Sequence, residues 1–197
     1  MIISLIQLCW FSFFLPLTFT SVSDNYTIDP GHTYIGWDVE RFMVGEVTGN
    51  FNSYTAEINV EGDNLNTLQF NVTIDAASIN SGHEVRDGHL KSEIWLDVEN
   101  HPEIKFESTK VVHKEDNDFM VSGTFTIHGV SKDIEFPAII QGPFKDPTQK
   151  WSIGLKADFT INRMDYGIMF SKKMDNGTLF IGKDVKIKIR ALAYKEG

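Results

Sequence analysis

Beyond residue 25, apolar and polar residues alternate with period two in run after run. Ile35, Trp37 and Val39 alternate with Gly36, Asp38 and Glu40. Tyr54, Ala56, Ile58 and Val60 alternate with Thr55, Glu57 and Asn59, and Leu68, Phe70, Val72 and Ile74 with Gln69, Asn71 and Thr73. Phe119, Val121, Gly123, Phe125 and Ile127 stand against Ser122, Thr124 and Thr126. Ile153, Leu155, Ala157, Phe159 and Ile161 repeat the pattern, and Val185, Ile187 and Ile189 face Lys186, Lys188 and Arg190. Successive side chains of a strand point to opposite faces, so each run lays one dry row and one wet row on a half-solvated antiparallel sheet. Turn formers such as Gly62-Asp63-Asn64, Glu115-Asp116-Asn117 and His128-Gly129 separate the runs. The spacing predicts about eight strands, near 33–42, 46–60, 67–74, 103–112, 118–127, 132–140, 151–161 and 184–193. A sheet with all its apolar rows on one side must close or double over, because open edges invite aggregation. The expected fold is therefore all-β, a single antiparallel barrel. Eight strands either fill their interior with side chains or enclose one small ligand.

One stretch departs from this pattern. Ser81-Gly82-His83-Glu84 reads as a capping box, and Val85, Leu90 and Ile94 supply a partly helical stripe. A short helix is expected near 82–92, across one end of the barrel, with Gly88 weakening it by about 1 kcal/mol relative to Ala.

Residues 1–23 carry no Asp, Glu, Lys or Arg, and Ile2 to Leu17 is nearly continuous apolar sequence. That run fits the core of a secretory signal, and Ser21-Val22-Ser23 offers a small-x-small site for cleavage before Asp24. An uncleaved anchor is the rival reading. The run is short for a span, and Gln7, Ser12 and Pro16 interrupt it. The expectation is a signal peptide over 1–23 and one exported domain over 24–197, periplasmic or secreted. The single Cys, Cys9, lies within the leader, so the exported domain has to be stable without a disulfide.

Motifs for catalysis are absent: there is no Gly-x-Gly-x-x-Gly, no phosphate loop and no Gly-x-Ser-x-Gly. His83 and His89 are six residues apart. On a helix that spacing leaves them about 240° apart in projection, so they do not converge as a zinc helix requires, and no metal site is expected. Eighteen Lys and Arg against twenty-seven Asp and Glu give a net charge of −9, which argues against nucleic acid as a partner. Asn25, Asn71 and Asn176 each open a glycosylation sequon. The fifteen Phe are a large aromatic payload, and most of those beyond the leader fall on the inward rows. A dry core and a ligand-holding interior both need such rows, and both readings stay open at this point.

Tyr26 to Trp37, Val44 to Phe51, Ala77 to Ser81, Arg86 to Ser92, His101 to Ser108, Gly123 to Lys132 and Ile161 to Gly167 together resemble, in order, the YceI-like family of exported polyisoprenoid-binding proteins. The resemblance spans essentially all of 26–193. Trp37 stands where Phe is usual, and Ile94-Trp95-Leu96-Asp97 replaces a more Phe-rich segment. The resemblance implies a lipocalin-like barrel that holds a long isoprenoid chain, with no established catalytic activity and no required cofactor. The bound ligand would be an isoprenoid lipid, such as a polyprenyl phosphate, or a quinone. Transient membrane contact would follow from loading such a ligand.

The candidate apolar lining is Trp37, Val39, Phe51, Phe70, Phe106, Phe125, Phe136, Phe159 and Ile161, and the candidate polar mouth is Arg86, His89, Lys132 and Arg163. Two other classes compete. One is a small barrel hydrolase or isomerase working through His89 and Asp87, which pocket geometry would reveal. The other is a ligand-free stress or adhesion module, which a filled interior would favour.

Overall fold

The computed structural model describes residues 23–196. The predicted leader, over 1–22 at least, lies outside those residues. The described chain contains strands β1 (Ser23–Ile28), β2 (Tyr34–Arg41), β3 (Gly45–Phe51), β4 (Tyr54–Glu61), β5 (Asn64–Asp75), β6 (Ile79–Asn80), β7 (Glu103–Glu115), β8 (Asp118–Ile127), β9 (Val130–Lys145), β10 (Trp151–Asn162) and β11 (Ile181–Lys195). One α-helix, α1 (Glu84–Lys91), follows β6. Eight strands close a wholly antiparallel barrel in the order β1-β4-β5-β7-β8-β9-β10-β11, with β11 returning to β1.

β11 is the spine of the closure. Its first part pairs with β2, from Ile181↔Arg41 to Arg190↔Tyr34, and its last residues pair with β1, from Ala193↔Ile28 to Lys195↔Tyr26. β1 and β2 thus lie end to end along one neighbour. A short 3-10 turn at Pro30–His32 joins them, and the Asp29 carboxylate accepts from Gly31 N. β3 and the two-residue β6 extend the sheet outward from β2. The first half of β4, Tyr54–Glu57, is laddered to β5 alone. Across its other edge the Tyr54 hydroxyl donates to Thr33 O at 3.0 Å, and this seam carries no main-chain ladder among the described residues.

β8 shows why the alternating rows specify register. Phe119, Val121, Phe125 and Ile127 are buried. On the outer face Ser122, Thr124 and Thr126 hydrogen-bond Glu135, Asp133 and Ser131 of β9. A one-residue slip would bury those hydroxyls and expose the apolar row. Gly123 sits within this row because the Phe106 ring occupies the space of its side chain: a Cβ there would lie 2.4 Å from Phe106 Cζ.

Three sequence expectations are corrected. The run over 46–60 is two strands, because Asn52 N donates to Ser78 O and Asp75 N donates to Ser53 O, which turns the chain between β3 and β4. β1 and β6 are additional strands. The capping box does not form: α1 begins at Glu84 with His83 as its N-cap. Gly82, at φ +72, turns the chain so that Ser81 binds the Asp87 carboxylate through both N and Oγ.

The end of the barrel where β10 stops and β11 begins is plugged. The segments 92–102 and 163–180 supply buried Leu96, Tyr166 and Ile168, α1 adds the half-buried Leu90, and Trp95 and Phe170 are in ring contact at 5.0 Å.

Candidate functional site

The inward rows enclose an apolar cavity of about 130 Å3. Its wall includes six of the expected residues, Phe51, Phe70, Phe106, Phe125, Phe136 and Phe159. The rings form a chain: Phe70 to Phe106 and Phe106 to Phe136 at 5.5 Å, then Phe136 stacked on Phe159 at 4.3 Å. Such pairs add about 0.5–1.5 kcal/mol beyond burial and hold the rings in fixed orientations. Trp37, Val39 and Ile161 are absent from the wall. Register still places them inward, Trp37 across from Ile187, and Val39 and Ile161 on either side of Val185. They belong to the filled part of the barrel, where the Trp37 indole lies over Gly49; a Cβ on that glycine would come within 2.4 Å of it. Trp37 Nε1 is buried without an acceptor among the described residues.

Much of the remaining wall is aliphatic: Ile28, Leu155, Ile187, Ile189, Ala191 and Ala193 among others. Attention to aromatic rings passed these residues over, although most sit in, or directly continue, the alternating rows. Thr33 is the one wall residue with a polar side chain, and its Oγ1 accepts from Leu192 N at 3.4 Å. The unladdered seam opens onto the same space, since Ile35, Phe51 and Ala56 flank it and line the cavity. An enclosed apolar space of this size holds a guest of about benzene size, close to one isoprene unit.

The family model described as the YceI-like domain matches residues 26–193. The chain belongs to this family. A UPF0312 protein of Staphylococcus aureus strain N315 is 33% identical over 170 residues, covering 85% of this chain and 95% of the relative. Among solved structures, the Campylobacter jejuni YceI protein superposes with a TM-score of 0.68 at 27% identity, over 80% of this chain and 90% of that one. A Saccharophagus degradans domain described as polyisoprenoid-binding superposes with a TM-score of 0.67 at 16% identity, over 87% of this chain and 98% of that one. That last likeness concerns the fold.

The four polar candidates of this YceI-like barrel separate widely. Arg86 is committed locally, its Nε donating to Ser81 Oγ and its Nη2 to Ser81 O. His89 is exposed on α1. Arg163 is not at a mouth at all. It is 3% exposed, and its guanidinium donates to the carbonyls of Gly182, Ile168, Phe170 and Ile181, clasping the plug to the start of β11. Lys132 is exposed, stands directly across from Phe125 in register and has no ion-pair partner among the described residues. It shares the inward parity of Ile134 and Phe136, at the barrel's plugged end.

The structure does not assemble the acid–base pair. Asp87 is held by Ser81, while the His89 side chain makes no hydrogen bond to another described residue. Burial pushes the Asp87 carboxyl up, but the hydrogen bonds from Ser81, together with the Arg86 and Lys91 charges, outweigh it and hold the group below the usual carboxylate range. A carboxyl more acidic in the folded chain contributes stability that is complete above its unfolded value of 3.8 and is lost as pH falls through the folded value. Melting temperature followed below pH 4 should therefore fall less steeply for Asp87→Asn than for the parent. An identical slope would show that this contact contributes nothing.

Proposed function

We propose that the protein is a non-catalytic carrier of an amphiphilic isoprenoid, exported and loaded by transient contact with a membrane. The cavity carries this reading. Its wall is apolar but for Thr33, it lies inside a closed barrel, and a seam beside it has no ladder to break. The description of the Saccharophagus degradans domain points the same way, and the seven ordered motifs support it. The cavity takes about one isoprene unit as it stands, so a longer chain would extend through an unladdered seam such as that between β4 and β2. Burial of one CH2 stabilises by about 0.8 kcal/mol, so a few five-carbon units supply useful affinity once ordering costs are subtracted. Lys132 would meet a phosphate head group.

The test is the mass of whatever lipid copurifies, followed by titration with prenyl phosphates and with quinones of increasing chain length. Affinity should rise with the first few isoprene units and then level off. Lys132→Gln should weaken the phosphates and leave the quinones unchanged. If neither class binds the stripped protein at micromolar concentration, the carrier reading fails and the ligand-free module takes its place.

A further inference from the structure

A cluster at the plugged end belongs to neither the cavity nor the clasp. The β8–β9 turn places His128 against His101, which precedes Pro102 at the head of β7. Their ring centroids are 4.8 Å apart with planes at 60°. Asp97 completes the group: one ligand atom from each of Asp97, His101 and His128 lies within 4.8 Å of the other two, and all three residues are half-buried. Neither imidazole makes a hydrogen bond to another described residue, so the ring nitrogens are uncommitted.

The backbone is arranged around these three side chains. Asp97 O accepts from His101 N at 2.8 Å and from Asn100 N at 3.0 Å, which fixes Asp97 and His101 on one turn. The Asn100 amide donates to both Asp97 carboxylate oxygens, at 3.1 and 2.9 Å, and so orients the carboxylate while leaving it acceptor capacity. Asp97 and His128 hold φ of 46° and 53°, a left-handed conformation that costs non-glycine residues energy and that clusters at functional positions. Two glycines leave room for the rings. A Cβ on Gly129 would lie 2.6 Å from His101 Cε1, and one on Gly167 would lie 3.2 Å from His128 Nδ1. A trio serving only packing would satisfy its imidazoles with the adjacent carboxylate; this one brings three electron-pair donors to a common point.

We propose that Asp97, His101 and His128 form a binding site for a divalent transition ion of the Zn2+ class. Two imidazoles and one carboxylate suit such an ion better than Mg2+ or Ca2+, which favour all-oxygen shells. Three protein ligands leave coordination positions open to water, as in exchangeable sites and unlike closed structural ones. The positions 97, 101 and 128 follow no zinc-helix spacing, and this is why the sequence expectation of no metal site, built on His83 and His89, did not reach them. The inference is independent of the lipid reading.

The experiment uses untagged protein stripped with EDTA. It is titrated with Zn2+ against a chromophoric competitor, and with Co2+ followed by visible absorption. One equivalent should bind at micromolar concentration or tighter. His101→Gln and His128→Gln should each weaken binding at least about tenfold, with metal-free melting temperatures unchanged, while His83→Gln and His89→Gln should bind as the parent does. Absence of stoichiometric binding, survival of binding in the His101→Gln/His128→Gln double variant, or its loss in the His83 or His89 variants would each overturn the assignment. Should a variant fail to fold, the parent decides: substoichiometric Co2+ must broaden the His101 and His128 ring resonances ahead of those of the other described histidines.

Discussion

Arg163→Ala should cost the fold about 3–5 kcal/mol. A carbonyl stranded in a buried site loses roughly 1–3 kcal/mol. The guanidinium at present satisfies four carbonyls, those of Gly182, Ile168, Phe170 and Ile181. Water entering the gap would rescue some of them, so the sum falls below four full penalties. The charge also lies 5.4 Å from the centre of the Trp95 ring, a contact that disappears with it. Burial pushes the guanidinium's pKa down, yet an arginine remains protonated throughout the range where the protein is folded. Arg163→Lys should recover only part of the loss, because an ammonium lacks the planar fork that reaches carbonyls on both sides. Urea denaturation measures this as a lower midpoint at unchanged slope. A loss below about 1 kcal/mol would mean that the clasp is dispensable.

Ala191→Phe should abolish lipid binding while leaving the empty barrel about as stable as before. Ala191 lies on the cavity wall, directly across from Leu155. A ring placed there fills space that now has no atoms in it, so the overpacking cost of about 1–3 kcal/mol expected in a dense core should not appear. Denying the ligand one five-carbon unit removes about 4 kcal/mol of burial, roughly a thousand-fold in Kd. Phe125→Ala is the complementary change. Phe125 lines the cavity on one side and meets Tyr166 edge-on at 5.6 Å on the other, so its loss should widen the space and accept bulkier chains. Apo melting temperature and chain-length-resolved affinity, read together, separate the outcomes. A strong loss of apo stability in Ala191→Phe, or lipid affinity within a few-fold of the parent, would end the carrier reading.

The barrel was legible in the sequence wherever one face is dry and the other wet. β8, β10 and β11 follow their alternating rows almost residue for residue, because a slip there would exchange burial for exposure along the whole strand. Legibility failed where the decisive partner is main chain. Arg163 looks from sequence like any surface cation near a turn, since its partners are carbonyls that carry no residue signature. The break at Asn52-Ser53 is likewise set by hydrogen bonds to Ser78 and Asp75, more than twenty residues on. Trp37, Val39 and Ile161 have the right parity for a lining. Whether an inward residue meets a void or a neighbour depends on the plug, and no strand pattern encodes that. The Asp97, His101 and His128 cluster is the extreme case, assembled by two loops across the end of the barrel.

The half-laddered edge of β4 sets this barrel apart from a uniformly stitched cylinder. The β7–β8, β8–β9 and β10–β11 seams are laddered along their length, whereas β9 and β10 pair only from Ala138↔Ala157 to Lys145↔Trp151. Parting β4 from β2 breaks the Tyr54–Thr33 bond and slides side chains past one another. The cylinder therefore has a weak meridian at β4, and a guest crossing there leaves the remaining ladders intact. Residence time and unfolding rate are then separate quantities. The first is set by friction at Ile35, Phe51 and Ala56 along the meridian, and the second by the ladders, so one can evolve without the other.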